Sequence, residues 1–236
     1  PPLPLLQKVA ELDCPLFLRG RDYDLAVGER GWHWRGLTAD GRVLELHDLP
    51  LLDLPMENAA LALQAYAALD MAWQPERLAH ALRATRVSGR LERRQLNWQG
   101  KSLSLLLDVG HNPHAAEYLA ARLAARPLKG RRLAVFGLLA DKDLTGVLAP
   151  LQADIQAWAV TPLDSPRSRS AGELEAALRN LGAEARACSS VAEALLVQCG
   201  RASEDDEILV FGSFYCVAEA LEWLSQQAEA GDGGAG

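Results

Sequence analysis

The sequence lacks most of the features that assign a protein quickly. Its four cysteines (Cys14, Cys188, Cys199, Cys216) stand far apart and form no CxxC pair. That argues against a zinc knuckle or a disulfide framework and fits a reducing compartment, so a cytoplasmic location is expected. No apolar run approaches the ~20 residues that a membrane-spanning helix needs. Positive charge is in deficit: 24 Lys and Arg against 31 Asp and Glu leave a net charge of −7, which argues against a general nucleic-acid binder. No GxGxxG dinucleotide fingerprint occurs. Gly100-Lys101-Ser102 resembles the end of a phosphate-binding P-loop, but Gln95 stands where that pattern needs Gly, and Ser102 leads into a strand instead of a helix. Val210-Phe211-Gly212-Ser213-Phe214-Tyr215 lacks the second Gly of a nucleophile elbow. The first residues, Pro1-Pro2-Leu3-Pro4-Leu5, read neither as a signal peptide nor as the context of an initiator Met, and suggest a cut through a longer protein.

What is present is a chain of 236 residues, 49% hydrophobic, enough for a packed core and for one large or two small domains. Residues 1–87 read as a small meander with two following helices. Strands are expected at Pro15 to Gly20, Tyr23 to Val27, Gly31 to Arg35 and Arg42 to Leu46, with turns at Gly28, Gly36 and Asp40-Gly41. Helices are expected near Leu5 to Leu12, from Pro55 to Leu69, and from Gln74 to about Arg83. Trp32, His33 and Trp34 alternate as a strand does, and cross-strand packing of the tryptophans is the expectation. Residues 88–230 begin with a hairpin-like pair and then alternate strand and helix, the last helix running from Phe214 to Gln227. That pattern predicts an α/β fold with a mostly parallel sheet, helices on both faces and right-handed crossovers. Residues 231–236 read as a disordered tail.

The organising stretch is Leu105-Leu106-Leu107-Asp108-Val109-Gly110-His111-Asn112-Pro113-His114. An apolar strand ends at Asp108, Gly110 turns the chain, Asn112 caps a helix and Pro113 occupies its first position. Such a turn places Asp108, His111 and His114 at the carboxyl edge of the sheet, where open α/β sheets bind ligands and helix N-termini favour phosphate. Capping alone also accounts for Asp, Asn and Pro there, as it does for Asp141 or Asp143 in the turn carrying Lys142, and for Ser213 before the last helix. Ser170 with Glu173 reads as a capping box, and Arg167 beside it is a candidate for an anionic substrate. Arg90, in Ser88-Gly89-Arg90, can reach a phosphate or form part of a solvated basic patch. Asn58, early in an apolar helix, reads as a capping or solvent-facing amide. Several of these stretches fall at one sheet edge, and that convergence argues for an anion-binding cleft.

Glu57-Asn58-Ala59-Ala60, Gly89-Arg90-Leu91-Glu92, Asp108 through His114, Asp141-Lys142-Asp143 and Phe211-Gly212-Ser213-Phe214 together resemble the C-terminal part of the bacterial dihydrofolate synthase/folylpolyglutamate synthase family, within the Mur ligase superfamily. The resemblance implies the Mur ligase C-terminal Rossmann-like domain over 88–230, preceded by the end of a central ATPase domain over 1–87. It implies ATP-dependent addition of L-glutamate to dihydropteroate and (poly)glutamyl folates through an acyl phosphate. Asn58 then contacts adenine, Arg90 the phosphates, Asp108 the ribose and His111 the phosphate region, while Lys142 and Ser213 hold the incoming glutamate. The partners are small molecules (ATP, L-glutamate, dihydropteroate and folates), with no nucleic acid and no membrane, and a monomer is expected at full length. ATP and Mg2+ are the implied cofactors. The family's P-loop, magnesium ligands and modified lysine lie in its N-terminal and central regions, so no catalytic or metal-binding residue is assigned in this chain, which is expected to be inactive alone. Ser88 stands where the family usually has Pro. A ligase of peptidoglycan precursors and a non-catalytic α/β binding module remain as alternatives.

Overall fold

The computed structural model describes residues 1–69 and 71–232. The chain divides into two compact units, Pro1–Thr85 and Arg86–Gly236.

The first unit contains α1 (Leu3–Glu11), the antiparallel meander β1 (Asp24–Val27), β2 (Trp32–Leu37) and β3 (Val43–Leu49), then α2 (Met56–Ala68) and α3 (Pro75–Ala84). Trp32 and Trp34 point inward with Leu46, Leu49, Ala60 and Leu63, while His33 faces out, as the alternation requires. Trp34 donates its indole N–H to the Ala60 carbonyl at 3.0 Å, and the buried Gln64 amide pairs with both the N–H and the C=O of Leu37. Two expectations fail here. Gly36 does not turn the chain; β2 continues through it, because a Cβ at that position would run into the Trp34 ring and Gln64 Oε1. Pro15 to Gly20 forms no strand. The Leu18 N–H is taken by the Asp22 carboxylate and the Leu18 carbonyl by the Arg21 and Asp22 N–H groups, so a local turn satisfies the backbone that a strand would have paired.

The second unit is a six-stranded sheet in the order β4-β5-β9-β6-β7-β8. Its elements are β4 (Glu92–Trp98), β5 (Lys101–Asp108), α4 (Pro113–Ala124), β6 (Arg132–Phe136), α5 (Leu144–Leu148) with a 3-10 turn over Ala149–Leu151, β7 (Ala157–Val160), α6 (Ala171–Asn180), β8 (Ala185–Ala187), α7 (Val191–Arg201), β9 (Glu207–Phe211) and α8 (Phe214–Asp232). Only β4 runs antiparallel, in a hairpin with β5. Gln99 and Gly100 close that hairpin with φ of +49° and +81°, the signature of a two-residue type I′ turn, so the P-loop lookalike is a hairpin tip. The last helix runs past Gln227 to Asp232, and residues 233–236 of the expected tail lie outside the described residues.

Both faces of the central strands β9, β6 and β7 are buried, which is why these read as continuous apolar runs. Leu106, Ala134, Phe136, Trp158, Leu209 and Phe211 face α4, α5 and α6. Their strand neighbours Leu105, Leu107, Leu133, Val135, Ile208 and Val210 face α7 and α8.

The amino edge of the sheet is fixed by charge. The buried Asp206 carboxylate accepts from the Arg131 N–H at 2.6 Å, the Arg131 guanidinium at 3.0 Å and the Ser203 N–H at 2.9 Å. Burial alone would raise its pKa; the Arg131 guanidinium and the backbone donors outweigh burial and bring it down to about 2. A carboxyl depressed in the folded state contributes stability above its unfolded pKa and loses it as the pH falls towards the folded value. Between pH 4 and 2 the protein is therefore expected to lose about 2 kcal/mol relative to its Asp206→Asn variant. Parallel denaturation curves of the two proteins over that range would contradict this assignment.

Candidate functional site

The strand ends set the site. Asp108, Phe211 and Phe136 lie level across β5, β9 and β6, and Val160 of β7 continues the row. The turns after these strands therefore open at one carboxyl edge. From β5 the chain leaves towards the face that carries α4, and from β9 towards the face that carries α8. This divergence between neighbouring strands is a topological switch point, the place where open α/β sheets leave a crevice.

On the β5 side the crevice is built around Asp108, which is 6% exposed. Its carboxylate accepts from the Gly110 N–H at 2.7 Å and from the Leu91 N–H at 3.1 Å. It thus joins the turn before His111 to the turn carrying Arg90. Burial holds the Asp108 carboxyl above the ordinary aspartate range, opposed by the two backbone N–H groups and by Arg90 and His111. Glu92 closes the Arg90 turn from below, accepting from the Ser88 hydroxyl at 3.0 Å and the Gly89 N–H at 2.8 Å. Gly89 has φ of +69°, and a Cβ there would come within 2.7 Å of Val109. The Val109 carbonyl lies 2.8 Å from His111 Nδ1. A carbonyl only accepts, so Nδ1 carries a proton and the ring is held by that bond, with Nε2 left for a ligand. Asn112 caps α4 as expected, accepting from the Ala115 N–H at 2.9 Å, while His114 is exposed.

Phe214 has no role that the sequence alone implies. It is 57% exposed at the start of α8, with the Arg90 guanidinium 5.9 Å from its ring centroid and the His111 ring at 6.0 Å. A large exposed aromatic at a strand-to-helix turn was the available signal. Ser213, just before it, is buried and accepts from the Tyr215 N–H at 3.1 Å, a capping bond that leaves its O–H free to donate.

On the far side of β9 lies the turn after β6. Asp143 caps α5 by accepting from the Gly146 N–H at 3.0 Å. Lys142 Nζ stands 2.8 Å from Asp141, and Arg167 lies 3.8 Å from the same carboxylate. The structure thus brings Arg90, Asp108 and His111 together and places Ser213 in the turn after β9, the strand between β5 and β6. Asn58 is exposed at the start of α2 and belongs to the other unit. Among the described residues no group of three or more His, Cys, Asp or Glu side chains is placed to hold a metal ion.

A doubly wound sheet whose switch point carries Arg90, His111 and the exposed Phe214 defines a Rossmann-like α/β domain. Residues 89–214 match the model of the Mur ligase family's glutamate ligase domain, and the chain belongs to that family. The matched span includes Arg90, Asp108, His111, Lys142 and Ser213. The dihydrofolate synthase/folylpolyglutamate synthase of Escherichia coli is 35% identical over 213 residues, which cover 90% of this chain and 47% of the relative. That of Haemophilus influenzae is 30% identical, covering 92% and 52%. The solved structure of E. coli FolC in complex with DHPP and ADP superposes with a TM-score of 0.81 at 33% identity, over 96% of this chain and 51% of that one. A bifunctional folylpolyglutamate synthase/dihydrofolate synthase with Mn, AMPPNP and L-glutamate bound gives a TM-score of 0.80 at 34% identity, over 95% and 51%. The chain spans about half the length of the curated relatives it matches.

Proposed function

We propose that this chain is the amino-acid-adding part of an ATP-dependent ligase that joins L-glutamate to dihydropteroate and to (poly)glutamyl folates. The carrying observation is the pair of basic clusters, Arg90 beside His111 and Lys142 beside Arg167, that flank β9 at one sheet edge. The relatives named for this activity, and a structural neighbour holding AMPPNP and L-glutamate, support the reading. In the reaction a folate carboxylate oxygen attacks the γ-phosphorus of ATP and ADP leaves. The glutamate nitrogen then attacks the acyl carbon and phosphate leaves. Neither step needs a protein nucleophile; both need charge compensation and alignment.

Arg90 and the His111 ring are then the phosphate-facing groups, and Asp108 the ribose partner through its remaining lone pairs. Lys142 pairs with a carboxylate of the incoming glutamate as a point charge, and the Ser213 hydroxyl donates to it. Asn58 is assigned to adenine. Magnesium, when bound with ATP, supplies further neutralisation of the phosphates. No GxxxxGK[ST] loop occurs in the 236 residues, so the isolated chain is expected to bind but not to ligate. We place the enzyme in the cytoplasm as a monomer acting on small molecules. All four cysteines are free thiols, as a reducing compartment requires, and no helix among the described residues is long and apolar enough to cross a membrane.

The test is ATP-dependent phosphate release with dihydropteroate and L-glutamate, using the full product of the gene and the 236 residues alone. Lys142→Ala in the full product is expected to raise the KM for L-glutamate about 10- to 100-fold, with the KM for ATP nearly unchanged. Silence with folate substrates but turnover with a peptidoglycan precursor would transfer the chain to a cell-wall ligase. Turnover by the 236 residues alone would overturn their assignment as an incomplete enzyme.

A further inference from the structure

Lysine has a long flexible stem, so a carboxylate site that uses one depends on where the backbone anchors it. The turn that anchors Lys142 is stitched to the loop after β7. Leu139 and Ser168 form an antiparallel bridge, the Ala140 N–H donates to the Arg167 carbonyl at 2.7 Å, and the Arg169 N–H donates to the Leu138 carbonyl at 3.0 Å. Arg169 then adds a side-chain clamp. Its Nη2 donates to the carbonyls of both Ala140 and Lys142, each at 2.9 Å. Two carbonyls separated by one residue, held by a single guanidinium nitrogen, fix the peptide planes before Asp141 and after Lys142. The Arg169 Nε is buried with no hydrogen-bond partner among the described residues, so the side chain is held from its far end.

We propose that Arg169 is a positioning residue for amino-acid binding: by clamping the Ala140 and Lys142 carbonyls it sets the direction in which Lys142 leaves the backbone. The proposal rests on the reading of Lys142 as the partner of a substrate carboxylate. The clamp also places a third cation beside Lys142 and Arg167, with Asp141 bonded to Lys142. Glutamine at 169 can reach at most part of this geometry and carries no charge. Lysine keeps the charge and can still reach one carbonyl.

Two measurements test it on the full gene product, with Arg169→Gln and Arg169→Lys. Hydrogen exchange reads the loop itself, and steady-state kinetics read the substrate. In Arg169→Gln, amide exchange over residues 139–143 is expected to accelerate about tenfold or more, and the KM for L-glutamate to rise about tenfold. The kcat and the KM for ATP are expected to stay within about threefold, and Arg169→Lys to recover part of the glutamate KM. Unchanged exchange overturns the clamp whatever the kinetics show. Faster exchange with an unaltered glutamate KM overturns the link to substrate. An equal rise in both KM values overturns the positioning role in favour of general loosening. Failure of the unsubstituted protein to use L-glutamate at all sinks the reading of Lys142, while the exchange data still decide whether the clamp exists.

Discussion

Replacing Asp108 by alanine is expected to lower the stability of the Arg86–Gly236 unit by about 2–6 kcal/mol and the ATP-dependent kcat/KM of the full gene product by about a thousandfold. The stability figure follows from two buried donors. The Leu91 and Gly110 N–H groups both end on this carboxylate, and each loses its acceptor at about 1–3 kcal/mol. Leu91 adds to the effect, because it sits at φ of +45°, a conformation that a leucine holds only while its surroundings fix it. The activity figure follows from geography: Asp108 binds the N–H groups that immediately follow Arg90 and precede His111, so both side chains proposed to face the phosphates lose their common anchor. Asp108→Asn keeps one carbonyl acceptor and is expected to lose about half as much stability.

The pH dependence separates anchor from charge. Burial raises the Asp108 pKa in the folded protein. A carboxyl raised in this way contributes stability below its unfolded pKa, near 3.8, and loses that contribution as the pH rises through the folded value. The stability gap between the unsubstituted protein and Asp108→Asn is thus expected to be widest in the unsubstituted protein's favour at about pH 3.5 and to narrow towards neutrality. Denaturant titrations at both ends of that range measure it. An Asp108→Ala protein as stable as its parent, or a gap that widens with pH, would remove Asp108 from this role.

The sequence made the alternation of strand and helix after residue 88 legible because burial on both sheet faces produces apolar runs that no turn residue interrupts. It also marked the edge at which Asp108, Lys142 and Ser213 gather, since Asp, Asn and Ser cap helices by local bonds that short motifs encode. The strand order was not legible. Inserting β9 between β5 and β6 is decided by side-chain fit between segments about a hundred residues apart, which no window of sequence contains. Gly36 misled because glycine serves both as a turn residue and as the only residue that fits beneath a neighbouring tryptophan. Arg169 carried no sequence signal at all. An arginine that binds two carbonyls across a loop pair looks the same in a string of letters as one in solvent, and its neighbour Arg167 looked the better candidate.

Gly212 shows how the same edge depends on an absent side chain, and Gly212→Ala is expected to lower stability by about 3–5 kcal/mol. Its φ of +106° lies where L-residues are strained, and a Cβ would stand 2.6 Å from the Gly137 carbonyl oxygen and 2.6 Å from Phe136 Cε2. Neither neighbour can yield cheaply. Gly137 is backbone, bonded to the Phe211 carbonyl at 3.4 Å, and the Phe136 ring is wedged between Trp158, edge-on at 5.9 Å, and Phe211 at 4.8 Å. Relief has to come from separating the ends of β9 and β6, the strands that present Ser213 and the Lys142 turn. Gly182 supplies the control, with φ of +78° and nothing within 4 Å of its Cβ position. Gly182→Ala therefore isolates the conformational part, about 1 kcal/mol. Chemical denaturation of the two variants yields the collision energy as a difference, and equal losses would show that no close approach exists at Gly212. A larger loss at Gly212, accompanied by weaker L-glutamate binding than in Gly182→Ala, would tie the spacing of β9 and β6 to the amino-acid site.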